Sequence, residues 1–77
     1  MLVSVSFFGP IRKPWTESTR QVEVPEDIEV GNLLASLGYQ AGDLRRVAVV
    51  INGRRRKLSY ALRADDDVRL VLLAGGG

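Results

Sequence analysis

The stretch Val68-Arg69-Leu70-Val71-Leu72-Leu73-Ala74-Gly75-Gly76-Gly77 decides how the chain is read. Six residues, five of them apolar, predict a strand. The strand runs almost directly into three glycines that carry no Cβ. Glycines of this kind make a thin, adaptable segment able to enter a narrow channel. Termini usually fray into polar residues, so an apolar strand feeding a glycine tail points to use. Residues 1–73 then form one folded domain, and residues 74–77 a flexible tail.

Working outward, Val3, Val5 and Phe7 alternate with Ser4 and Ser6. Period two with β-branched and aromatic residues predicts a half-buried strand over Leu2 to Phe8. Gly9-Pro10 ends it, and residues 11–17 read as a polar connection holding Trp15. Trp15 is read as a lid on the core or as a partner contact. A second alternating strand runs from Ser18 to Val24, and the two suggest a β-hairpin. Pro25-Glu26-Asp27 breaks the pattern. Val30, Leu33, Leu34 and Leu37 then recur at helical spacing, giving one apolar stripe. Glu26, Asp27 and Glu29 lie near the helix start, where negative charge suits the dipole. Gly38 stands where a left-handed cap would close it. No Ser or Thr caps the start, and Gly31 falls in the first turn.

The run Val47-Ala48-Val49-Val50-Ile51 predicts a central strand covered on both faces. Asn52-Gly53 is a strong tight-turn signal. Arg55 to Leu58 suggest a short return strand, and Ser59 to Leu62 a single helical turn. Asp65-Asp66-Asp67 reads as a solvated turn before the last strand. Val71 and Leu73 oppose Val68, Leu70 and Leu72 on that strand. One set faces the core; the other is either covered by a second layer or exposed to dock a partner. Leu2 and Phe8 share the same uncertain face. Helix and sheet bury their apolar faces against each other in two layers, an α+β arrangement.

Composition limits the chemistry. The chain has 77 residues, a formal net charge of +2, and neither Cys nor His. Disulfides and the usual Cys/His zinc sites are excluded. The commonest catalytic bases and nucleophiles are missing too, and no serine lies in a nucleophile-elbow pattern. No apolar run approaches the ~20 residues of a membrane span. No signal peptide is apparent at the start, so a cytoplasmic setting is expected, with no membrane partner. Arg54-Arg55-Arg56-Lys57 reads as phosphate-binding or as a solvated edge that discourages strand pairing. The low net charge and the five aromatics, with no stacking series, weigh against nucleic acid.

What remains is the terminal carboxylate, ionised at neutral pH because α-carboxyl groups titrate near ~3.5. A carboxylate is a poor electrophile. Transfer of AMP onto it gives a mixed anhydride with a good leaving group, and a sulfur nucleophile then yields a thiocarboxylate. Glycine at the reacting position leaves the approach clear.

These pieces resemble the ubiquitin-like sulfur carriers of the MoaD/ThiS group. The matching residues are Val5-Ser6-Phe7-Phe8-Gly9, the segment Val30 to Gly38, Val50-Ile51-Asn52-Gly53, Ala64-Asp65-Asp66-Asp67-Val68, and the final Gly76-Gly77. The resemblance implies a β-grasp fold: a mixed sheet of four to five strands on one main helix. It implies a protein carrier rather than an enzyme, able to serve as the small subunit of a molybdopterin synthase. Gly77 would be adenylated by an E1-like adenylyltransferase and then thiocarboxylated, with Gly75 and Gly76 as the tether that partners bind. Phe8, Val71 and Leu73 would form the partner interface. The resemblance further implies that no cofactor or metal is held stably and that ATP and Mg²⁺ are used by the activating partner. It implies a persulfide enzyme that would supply sulfur and a downstream synthase that would receive it, for molybdopterin or for the thiazole of thiamine. Two further uses stay open: sulfur donation for tRNA thiolation, and conjugation to proteins as a ubiquitin-like modifier.

Overall fold

The structure, a computed structural model, describes residues 1–9, 16 and 18–72. It contains β1 (Leu2–Phe8), β2 (Thr19–Glu23), α1 (Val30–Ser36), α2 (Ala41–Leu44), β3 (Val47–Ile51), β4 (Arg54–Arg55) and β5 (Asp67–Leu72). The strands form one mixed sheet in the order β2-β1-β5-β3-β4. β1 pairs antiparallel with β2, and parallel with β5. β3 pairs antiparallel with both β5 and β4. This is the β-grasp fold, as the sequence resemblance implied.

The alternation in β1 does what period two requires. Val3, Val5 and Phe7 are buried against the helix, while Leu2 and Phe8 point to the other face and are exposed. In β5 the buried pair is Val68 and Leu70, and in β3 it is Val49 and Ile51 at the same level. From the helix, Val30, Leu33 and Leu34 close the core with no exposed surface. Each such aliphatic side chain contributes roughly 1.5–3 kcal/mol relative to leaving it in water. They offset the ordering entropy of a chain too small to hold a second core.

The last strand in sequence is the central strand in space. β5 lies between β1 and β3 and binds both ladders. The expectation for Val47–Ile51 is corrected accordingly. β3 is an inner strand next to the edge, and its outward face is only partly covered: Ala48 is buried and Val50 half-buried. On that face Ala48 stands opposite Val71 of β5.

The start of α1 explains its missing cap. Glu29 is the N-cap and makes no side-chain capping bond. Instead the segment after β4 crosses the helix end. The Val30 N–H donates to the Tyr60 carbonyl at 2.9 Å, and the Gly31 N–H to the Leu58 carbonyl at 2.8 Å. The Leu62 N–H returns to the Ile28 carbonyl at 2.8 Å. Orphan helix donors are thus satisfied by a strap of backbone acceptors. Gly31 permits the approach: a Cβ there would meet Leu58 Cβ and its carbonyl oxygen at 3.4 Å. The single helical turn expected over Ser59–Leu62 is therefore replaced by a turn closed by Tyr60 N–H to Lys57 C=O at 3.0 Å, and by a bridge from Ala61 to Glu29. An extended strap exposes carbonyls sideways to the helix, which a helical turn would have consumed internally.

At the other end of α1, the Tyr39 N–H reaches the Leu34 carbonyl and the Gly38 N–H the Ala35 carbonyl. Gly38 has φ 97°. This is a Schellman closure, with Tyr39 and Leu34 buried together in the core. Asn52 and Gly53 take φ 52° and 85°. Two positive φ values make the type I′ turn that the dipeptide predicts, although β4 is only two residues long. The helix α2 has no counterpart in the sequence reading. Its one local signal is the Gln40 N–H bound to the Asp43 carboxylate at 2.9 Å, and Gly42 blurs its helical pattern.

Candidate functional site

The face of the sheet away from α1 carries the second set of strand residues. Register fixes which ones meet. Phe8 pairs with Val71 across β1 and β5, and Val71 with Ala48 across β5 and β3. One step along, Ser6 pairs with Arg69, Arg69 with Val50, and Val50 with Arg55. Phe8, Val50, Arg69 and Val71 line an open depression of about 390 Å³.

The side chains in it are ordered by one another. Phe8 is 45% exposed, far more than a core aromatic. The Arg69 guanidinium lies 5.8 Å from the Phe8 ring centroid, within the range of cation–π attraction. Its Nε also donates to the Asp67 carboxylate at 3.0 Å. Farther along, Ser6 and Thr19 hydroxyls bond each other at 2.9 Å. The surface is apolar toward the C-terminal end of β5 and polar toward its start.

Of the expected partner-contact residues, the structure brings together Phe8 and Val71. Leu73 lies outside the described residues, as do Gly75, Gly76, Gly77, Trp15 and residues 10–15 and 17. Leu2 is exposed on the same face but at the far end of β1. Val50, Ala48 and Arg69 were not foreseen as parts of this surface. Alternation within β5 placed Arg69 beside Val71; only the pairing of β5 with β3 adds Val50 and Ala48. Because β5 runs parallel to β1, it leaves the sheet beside Phe8 and Gly9. β5 therefore ends at Leu72, next to Gly9 and one residue past Val71 of the apolar depression.

The aspartate triplet has another role than expected. Asp66 is buried, not solvated. Its two oxygens accept from Asn52 Nδ2 at 2.8 Å and from the Arg63 N–H at 2.9 Å. Asp67 is taken by Arg69. Among the described residues, no group of three Asp or Glu side chains is placed to hold a metal ion. None of the described helices is long and apolar enough to cross a membrane. Arg54, Arg55, Arg56 and Lys57 are exposed on the edge strand and its strap. Arg56 lies 4.9 Å from the Tyr60 ring centroid.

The ThiS family model matches residues 5–77. The chain belongs to the ThiS family. No curated protein is significantly similar in sequence. Among solved structures, SAMP1 from Haloferax volcanii is 22% identical with a TM-score of 0.76, each chain covered over 100%. A putative molybdopterin converting factor subunit 1 from Pyrococcus furiosus is 19% identical, with a TM-score of 0.75, over 95% of this chain and 98% of that one. A chain from the complex of subunits 1 and 2 of the molybdopterin-converting factor of Helicobacter pylori 26695 is 27% identical, with a TM-score of 0.67, over 100% of both. The first two likenesses carry the fold; the third comes from a protein that is found in a complex with a second subunit.

Proposed function

We propose that this ThiS-family chain is a sulfur carrier whose reacting group is the Gly77 carboxylate. The observation that carries the reading is the position of β5. The central strand of a rigid sheet leads out beside an exposed apolar depression, so one partner can hold the body by Phe8 and Val71 while taking the tail into its own site. Burying that apolar surface favours docking without any catalytic group on the carrier.

The chemistry is supplied by the partner. The Gly77 carboxylate oxygen attacks the α-phosphate of ATP, and pyrophosphate leaves. The resulting acyl adenylate is attacked by hydrosulfide, the C–O bond to AMP breaks, and a thiocarboxylate remains. A persulfide donor gives an acyl disulfide instead, which a further thiol must reduce. Residues 74–77 act as the tether, and Leu73 extends the docking surface. Mg²⁺ would accompany ATP in the activating enzyme. The thiocarboxylate then passes sulfur to a synthase making molybdopterin or thiamine thiazole.

The test is incubation with an E1-like adenylyltransferase of the same genome, ATP, Mg²⁺ and sulfide, read by intact mass. The expected product has one oxygen replaced by sulfur. An unchanged mass with every such enzyme of that genome rejects the reading. Gly-Gly remnants on cellular lysines would instead support the protein-modifier role, which shares the adenylation step.

A further inference from the structure

Arg55, Val50 and Arg69 stand in one row across three adjacent strands, set by the pairs Val50↔Arg55 and Val50↔Arg69. That row borders the apolar depression of Phe8, Val50 and Val71. Arg69 already has a carboxylate, Asp67, at 3.0 Å. Among the described residues, Arg55 has none. A partner seated on Phe8 and Val71 therefore covers one neutralised guanidinium and one that is not. Covering an unpaired cation costs free energy unless the arriving surface brings an anion.

We propose that the protein docking on this face presents a carboxylate to Arg55, so that Arg55 selects a partner with an acidic rim around an apolar contact. This rests on the sulfur-carrier reading only for the identity of that partner as the adenylating enzyme. The observations favour an acidic protein over a nucleic acid. Among the described residues, the face holds one exposed aromatic, Phe8, with Arg69 already packed against it, whereas single-stranded nucleic acids take a series of stacking rings. Arg55 lies on the edge strand at the rim of the depression, where charges steer encounter and set salt dependence.

The experiment measures pyrophosphate exchange by the genome's E1-like enzyme with the wild type, Arg55→Glu, Arg55→Lys and Arg45→Glu across a salt series. The expected result is that Arg55→Glu raises KM about tenfold with kcat nearly unchanged. Wild-type KM should rise with salt, that dependence should flatten in Arg55→Glu, and Arg55→Lys should stay close to wild type. Arg45→Glu, the same charge change on a residue outside this row, should move KM much less. A wild type that is adenylated while Arg55→Glu keeps its KM and its salt dependence overturns the proposal and leaves the carrier reading intact. An equal effect of Arg45→Glu also overturns it, since net charge alone would then suffice. A wild type that no such enzyme adenylates overturns both. A single-stranded oligonucleotide whose fluorescence anisotropy reports Arg55-dependent binding, without any KM effect, assigns the row to nucleic acid and overturns it as well.

Discussion

The Asn52 side-chain amide donates to Asp66 Oδ1 at 2.8 Å, joining the hairpin after β3 to the turn before β5. The link runs both ways. Asn52 Oδ1 accepts from the Asp67 N–H at 2.9 Å, and the Asn52 N–H reaches the Asp67 carbonyl at 3.0 Å. Asp66 meanwhile holds the Arg63 N–H and offers its own carbonyl to the Ser4 N–H at 2.9 Å. These bonds fix where the central strand enters the sheet, and so the register that places Val71 beside Phe8.

Replacing Asp66 by Ala leaves the Asn52 amide and the Arg63 N–H without acceptors. The expected loss is about 1–3 kcal/mol, from two partly buried hydrogen bonds to a carboxylate. Asp66→Asn keeps one acceptor and should lose less. Urea unfolding followed by circular dichroism measures both, and equal stability of wild type and Asp66→Ala would show that water replaces the carboxylate.

The role of Asp66 was not legible in the sequence, and the reason is physical. Three aspartates in a row look solvated, because burial of one depends on Asn52, fourteen residues away. The elements that local chemistry determines were legible. Alternation around Val3, Val5 and Phe7 gave β1, the stripe Val30-Leu33-Leu34 gave α1, and Asn52-Gly53 gave the hairpin turn. The strap was not, because carbonyls of Leu58 and Tyr60 capping α1 leave no mark on side-chain pattern. The apolar face of the sheet was half legible: Phe8, and Val71 with its neighbour Arg69, followed from period two, while Ala48 and Val50 joined them only through strand order.

Gly9 has φ 91°, and a Cβ built on it would lie 3.1 Å from Leu72 Cβ. Gly9→Ala therefore adds both backbone strain and a clash at the exit of β5. The expected destabilisation is about 1–3 kcal/mol. In a domain this size each kcal/mol corresponds to a Tm shift of roughly 4–8 °C. Thermal unfolding checks it, and an unaltered Tm would contradict the close approach of the two strands.

Leu34 is fully buried between α1 and the sheet. Leu34→Ala should cost about 2–5 kcal/mol through lost burial and a cavity. Marginal stability leaves little reserve, so the variant should be largely unfolded near its wild-type midpoint. Near-native denaturation behaviour would mean that the core collapses around the missing methyls.

Phe8 separates docking from folding. Its ring is 45% exposed and its contacts are to surface neighbours such as Arg69. Phe8→Ala should thus change stability by no more than about 0.5 kcal/mol, as surface substitutions do. Docking should suffer more. A central aromatic contact typically costs about 2 kcal/mol or more when truncated, so KM for adenylation should rise by more than tenfold. Deleting Gly75, Gly76 and Gly77 together gives the complementary result: an unchanged unfolding curve, retained competition with wild type for the activating enzyme, and no thiocarboxylate. Phe8→Ala in the same competition assay should compete poorly even though its tail is intact. If both variants fail to compete, the tail and the open face of the sheet share the binding energy; if Phe8→Ala competes as well as wild type, the partner holds the carrier by a surface other than that face.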